Sequence, residues 1–156
     1  MERTVVILKP DCVQRQLVGE VVARFERKGL KIVAMKMLRV SDEMAHRMYA
    51  EHDGKHFHAA LVAFVTSSPV VAMVLEGPRA LAVCRGLLGP TDGKAAPPGT
   101  IRGDFGHSSR NNLLHASDSA ESAKRETAIF FAPAEILEYD LSIAPWVYWE
   151  PPGAKT

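Results

Sequence analysis

Apolar positions along the chain fall into runs of two different periods. Residues 4–8 form a short β-branched run stopped by Lys9-Pro10-Asp11, the pattern of a buried strand. Val18, Val21, Val22 and Phe25 recur at helical spacing within residues 17–28, and Gly29 is placed to end that helix in a left-handed cap. Residues 31–40 alternate Ile32, Ala34 and Lys36 against Val33, Met35 and Met37, which predicts a second strand. Ser41 then caps a helix reaching about His52, with Asp42 and Glu43 at its positive end. A short buried helix is expected over 61–66 and a buried strand over 70–75. Pro78, at a first turn, opens a helix toward Leu87.

Between Gly89 and Asn112 the periodicity collapses into a stretch holding Gly93, Gly99, Gly103 and Gly106 with Pro90, Pro97 and Pro98. A loop of that length inside a compact domain is uncommon and often functional. Residues 113–115 have room only for a stub of strand. Asp118 and Glu121 then make a capping-box-like start to a helix reaching Phe130. The tail carries Trp146, Tyr148 and Trp149 and ends in a Pro/Gly segment expected to fray. This order predicts an α+β fold, a split βαβ sandwich of the ferredoxin-like kind. Its four-stranded, mainly antiparallel sheet would have helices packed on one face. No repeat or linker divides the chain, so residues 1–156 read as one domain, with 145–156 as its C-terminal tail.

Composition narrows the function classes. With 19 basic against 18 acidic residues the formal charge is +1, so no global field draws the chain to nucleic acid or an anionic membrane. Phosphate binding would have to come from a local cluster. Cys12 and Cys84 are far apart and form no C-x-x-C, which fits reduced thiols in the cytoplasm. The apolar stretches 59–65 and 70–75 fall far short of a membrane span, and the N-terminal run is too short for a signal peptide. No membrane partner is expected.

The Gly-rich stretch invites a search for phosphate-binding motifs. Gly89 to Lys94 has three residues between its glycines where a Walker A loop has four, and Ala95 stands where a hydroxyl should be. No G-x-G-x-x-G occurs. Residues 100–106 faintly echo an RNA-binding motif but hold one aromatic, Phe105, where several should interleave. His52, His56 and His58 suggest metal spacing, but Asp53-Gly54 should break the helix between them, and loop-exposed His56 and His58 are the favoured reading.

His115 has a different setting, at the end of an apolar stub and just before a helix N-terminus, where unpaired amides favour an anion. A neutral imidazole there is a competent nucleophile toward phosphorus. Glu126 shares the core-seeking face of the following helix with Ala123 and Phe130, so its carboxylate needs a partner. Orienting the imidazole would supply one; an ion pair with an arginine would serve equally on spacing alone.

Here the residues resemble a known family. Asn112-Leu-Leu-His115-Ala-Ser117-Asp118-Ser119 is similar to the N-x-x-H-G-S-D-S signature of nucleoside diphosphate kinases, with Ala116 replacing the glycine. The likeness extends through Lys9-Pro-Asp, residues 14–20, 69–74 and 98–105, and spans essentially residues 2–149. It implies a ping-pong transfer of the γ-phosphate from a nucleoside triphosphate to a diphosphate through a phosphorylated His115. It further implies that Arg85, Thr91 and Arg102 hold the phosphates with His52 nearby, while Mg2+ bridges their oxygens. Lys9 and Asn112 would hold the ribose hydroxyls, and Tyr49 would pack beside His115. Ser117 would bond Glu126, which orients the ring. Phe57 would stack on the base beside Leu61, with little base selectivity. A homo-oligomer is implied, a hexamer favoured over a tetramer, with Trp146–Trp149 apolar enough to dock on a neighbour.

Three departures from the family pattern carry expectations. Cys12 replaces a glycine and would strain its turn if a positive φ were needed. His56 and His58 alter the base-stacking lip. Gly93, where many members have proline, predicts a more flexible loop.

Overall fold

The computed structural model describes residues 1–149. Four strands, β1 (Glu2–Leu8), β2 (Lys31–Leu38), β3 (Val70–Gly77) and β4 (Leu114–Ala116), form one antiparallel sheet in the order β2-β3-β1-β4. Around it lie α1 (Pro10–Gln14), α2 (Val18–Arg27), α3 (Asp42–Met48), α4 (His58–Thr66), α5 (Ala80–Leu88), α6 (Ile101–Phe105), α7 (Ala120–Phe130) and α8 (Ala144–Val147).

Helices cover both faces of the sheet, not one. β3 is buried at every position and β1 from Thr4 onward, because neither strand has a polar side to offer water. Val6, Leu8, Met73 and Leu75 pack one face against Val21 and Phe25 of α2 and Cys84 and Leu88 of α5. Val5, Ile7, Ala72 and Val74 pack the other against Ala45 and Met48 of α3, Val65 of α4 and Phe130 of α7. The pleat divides one apolar run between two cores. β2 is an edge strand. A bulge between Ile32 and Ala34 breaks the expected alternation, burying both Val33 and Ala34 and leaving Met35 and Met37 exposed.

Local chemistry sets the element ends. Gly29 sits at φ 93° and its amide bonds the Glu26 carbonyl, as a left-handed cap should. Pro78 lies ahead of α5, which starts at Ala80 after Arg79 in the left-handed region. α7 is capped by Ser119, one residue later than Asp118, its hydroxyl accepting from the Ser122 amide at 3.1 Å.

Two short helices were not legible as periodicity. α1 opens on Pro10 and buries Cys12, whose backbone is helical, so the strain expected there does not arise. α6 lies inside the Gly/Pro stretch, capped by Thr100, and Gly103 leaves no room for a Cβ, which would fall 1.9 Å from the Pro97 carbonyl oxygen. α4 begins three residues before the expected run, so His58 is buried at its first turn while His56 stays exposed. The segment expected to be helical up to His52 leaves α3 at Met48 and continues as a 3-10 turn, Ala50–His52.

The Tyr148 hydroxyl bonds the Gly29 carbonyl, while Trp146 and Trp149 are 90% and 80% exposed. Residues 150–156, which include the segment expected to fray, lie outside the described residues. Among the described residues no helix is long and apolar enough to cross a membrane.

Candidate active site

β4 contributes three residues, and its pleat sorts them. Leu114 and Ala116 join the core, so His115 between them points to the opposite side, its side chain 28% exposed. The ring is held from below by α7. Glu126, buried to 3%, places Oε2 at 2.9 Å from His115 Nε2, and the fully buried Ser117 donates its hydroxyl to the same Oε2 at 2.7 Å. A carboxylate accepts hydrogen bonds, so Nε2 carries the proton and Nδ1 keeps its lone pair.

The approach to β4 is forced. Leu113 adopts φ 74°, a left-handed conformation that costs a branched residue of order 1–3 kcal/mol. Two groups from the start of the chain hold it there. Asp11 Oδ2 accepts from the Leu113 amide at 3.0 Å, and the Leu113 carbonyl accepts from the Lys9 amide at 2.8 Å. This twist turns Asn112 and His115 toward one cleft.

That cleft has a volume of about 730 Å³ and is lined by His115, Glu126, Tyr49, Lys9, Arg85 and Thr91, together with Arg102, Asn112, His52, Phe57 and Leu61. Of the residues that the family resemblance assigns to the site, Ser117 alone does not line it; it reaches the cleft through Glu126. A larger cavity of about 930 Å³ lies between β2 and α7, but no histidine lines it.

The cations differ in readiness. Arg102 is 7% exposed and donates to the carbonyls of Leu114 at 2.7 Å, Asn112 at 3.2 Å and Gly89 at 3.2 Å. These bonds fasten the Gly/Pro loop to β4 and leave part of its five-donor fork for an anion. Burial, then the neighbouring Arg85 charge, pushes Arg102 down to about 10, with Asp11 opposing, so it stays cationic at neutral pH. Arg85 makes no side-chain hydrogen bond among the described residues and is the freer of the two.

Lys9 donates to the Arg110 carbonyl at 2.7 Å and to Asn112 Oδ1, and Asn112 Nδ2 donates on to the carbonyls of Thr91 at 2.8 Å and Ser109 at 2.9 Å. Asn112 is therefore a buried clip that fixes the Thr91 loop to Lys9. Burial lowers Lys9 to about 8, Asp11 working against that shift and Arg102 adding to it.

Aromatic rings continue the wall. Tyr49 lies 6.3 Å from His52, centre to centre, and His52 lies 5.4 Å from Phe57, edge to face. Burial, then the Glu126 charge, pushes the Tyr49 phenol up to about 12, so it stays protonated. Phe57 remains 38% exposed at the lip.

Gly93 sits at a close approach of the chain to itself. A Cβ there would lie 2.6 Å from the Gly106 carbonyl carbon, so glycine lets two parts of the loop touch. Among the described residues no three His, Cys, Asp or Glu side chains converge to hold an ion. The donor set is cationic and suits phosphate oxygens.

Sequence reasoning missed four charged cleft residues, Glu51, Arg110, Asp118 and Arg125. Asp118 lies inside the signature, where an acid beside a helix start has the pattern of a cap, and the Ser122 hydrogen bond lowers its pKa. Glu51 and Arg125 look like ordinary surface charges until folding joins them.

A family model described as nucleoside diphosphate kinase matches residues 2–136. A nucleoside diphosphate kinase of Kosmotoga olearia is 59% identical over 90% of this chain and 96% of its own length. That of Archaeoglobus fulgidus is 57% identical over 96% and 99%. Among solved structures, a halophilic nucleoside diphosphate kinase of Halobacterium salinarum in complex with CDP superposes with a TM-score of 0.93 at 49% identity, covering 95% of this chain and 99% of that one. A Babesia bovis family member gives a TM-score of 0.92 at 43% identity, over 95% and 100%. The chain belongs to the nucleoside diphosphate kinase family.

Proposed function

We propose that His115 carries the phosphate in the transfer between nucleoside tri- and diphosphates that defines this family. The observation that supports it is the His115–Glu126–Ser117 chain at the cleft wall, which holds a proton on Nε2 and leaves Nδ1 outside that chain with its lone pair. Nδ1 attacks the γ-phosphorus, the N–P bond forms, and the bond to the β,γ-bridging oxygen breaks. The diphosphate departs, and a second diphosphate reverses the step through its own terminal oxygen. Nε2 keeps its hydrogen throughout. The positive charge that grows on the ring in the transition state is met by Glu126.

Arg85, Thr91 and Arg102 hold the phosphates, with His52 beside them, as fixed charges that stabilise a loose phosphoryl transition state. Mg2+ would arrive with the nucleotide and would supply charge neutralisation; among the described residues no His, Cys, Asp or Glu cluster would hold it, and the cations of the cleft suit the phosphates that would carry it. Lys9 and Asn112 hold the ribose hydroxyls. Phe57 and Leu61 form an apolar shelf for the base, and stacking on it makes purines and pyrimidines nearly equivalent. The CDP complex of the halophilic relative is in keeping with a pyrimidine on such a shelf. The protein works as a homo-oligomer, with a hexamer favoured from the length of the tail; among the described residues Trp146 is 90% exposed, an apolar surface that a second copy would cover. Light scattering tests the assembly.

The test of the reaction is incubation with γ-labelled ATP. An acid-labile, alkali-stable label on His115, discharged by any nucleoside diphosphate and absent from His115→Ala, is expected. Transfer that persists in His115→Ala would overturn the reading.

A further inference from the structure

The 3-10 turn Ala50–His52 carries His52 in the middle of the ring series that runs from Tyr49, beside Glu126, to Phe57 at the lip. It buries none of its residues, so apolar packing does little to fix its position. Among the described residues one polar tie binds it to α7: Glu51 Oε1 lies 2.7 Å from Arg125 Nη2, and both side chains line the cleft. Arg125 also leaves its Nε buried with no hydrogen-bond partner among the described residues. Its one ion pair among the described residues is with Glu51. Arg125 is also the residue immediately before Glu126, on the same helix that orients His115.

We infer that Glu51 and Arg125 are positioning residues that set the distance between the nucleotide-holding lip and the phosphate-transferring wall. The pair acts through others: Glu51 through His52 and Phe57, Arg125 through the placement of α7. It rests on the assignment of those rings to the nucleotide made above. A pair of partly exposed side chains, 38% for Arg125 and 55% for Glu51, has a modest effect by itself. Its effect should fall on nucleotide capture and not on the chemical step, because His115, Glu126 and Ser117 keep their mutual bonds without it.

The experiment compares Glu51→Gln, Arg125→Gln, the double variant and the swap Glu51→Arg with Arg125→Glu, using ATP and a nucleoside diphosphate as substrates. Each single change is expected to raise KM for the nucleotide about threefold to fivefold, in line with a half-exposed pair, while kcat stays within about twofold. The double variant should be no worse than either single, and the swap should recover most of the lost affinity. Unmoved KM in both singles, additive effects in the double, or a fall in kcat at constant KM would each overturn the proposal. Wild-type enzyme run alongside for label on His115 separates the two questions. Absence of label there would sink the functional reading itself, whereas normal labelling with an unmoved KM would sink only the role of this pair.

Discussion

Glu126 follows His115 by 11 positions, yet its Oε2 sits 2.9 Å from the imidazole Nε2, and this one contact decides which ring nitrogen of His115 keeps its lone pair. The strand presents the ring to the cleft, and the helix after it turns back to hold the ring from behind. Ser117 bonds the same oxygen, so the carboxylate is fixed before it fixes anything else.

Replacing that carboxylate by its amide tests the orientation directly. In Glu126→Gln the side chain keeps its shape but loses the charge that meets the developing imidazolium. The rate of His115 phosphorylation in a single turnover should fall on the order of a hundredfold, with KM changed little. Ser117→Ala, which only loosens Glu126, should cost on the order of tenfold in the same measurement.

Lys9 makes stability and capture run in opposite directions with pH. Its folded value of about 8 lies below the ordinary 10.5, so between those values the unfolded chain holds a proton that the folded chain has released. Stability contributed at this site therefore rises as pH climbs from about 8 to 10.5, and the cost of the buried charge is present in full below about 8. If Lys9 holds the ribose as proposed, nucleotide capture loses a cation over the same range. The kcat/KM profile of the wild type should show a descending limb near pH 8, and Lys9→Gln should lower kcat/KM and remove that limb.

Gly93→Ala inserts a methyl group 2.6 Å from the Gly106 backbone, where neither side has a flexible end to move. The substitution should destabilise by about 1–3 kcal/mol, read from denaturant midpoints. Because the same loop carries Thr91 and Arg102, KM should rise with it.

Gln16 sits at φ 57° on the surface, away from the cleft. Gln16→Gly removes the left-handed penalty and should gain about 0.5–1 kcal/mol, net of glycine's greater freedom when unfolded. Thermal melting checks this, and transfer activity should not change.

Residue types and their spacing carried a large part of this protein. Apolar runs placed all four strands and most of the longer helices, because burying those side chains has few local solutions. The signature around His115, with Lys9, Arg85, Arg102 and Asn112, named residues that the fold brings to one cleft, since reactive groups of fixed chemistry must be written in the chain. Tertiary structure decided the rest. The two-sided cover of β1 and β3 was invisible because a continuous apolar run does not say which residue faces which core. Helix α6 was hidden because its turns are set by Thr100 and by the close pass of Gly103 at Pro97, not by a hydrophobic period. The twist at Leu113 depends on Asp11, and the tie between Glu51 and Arg125 spans 74 positions. Such contacts arise only after the chain has closed, when distant polar groups lose water together and must find one another.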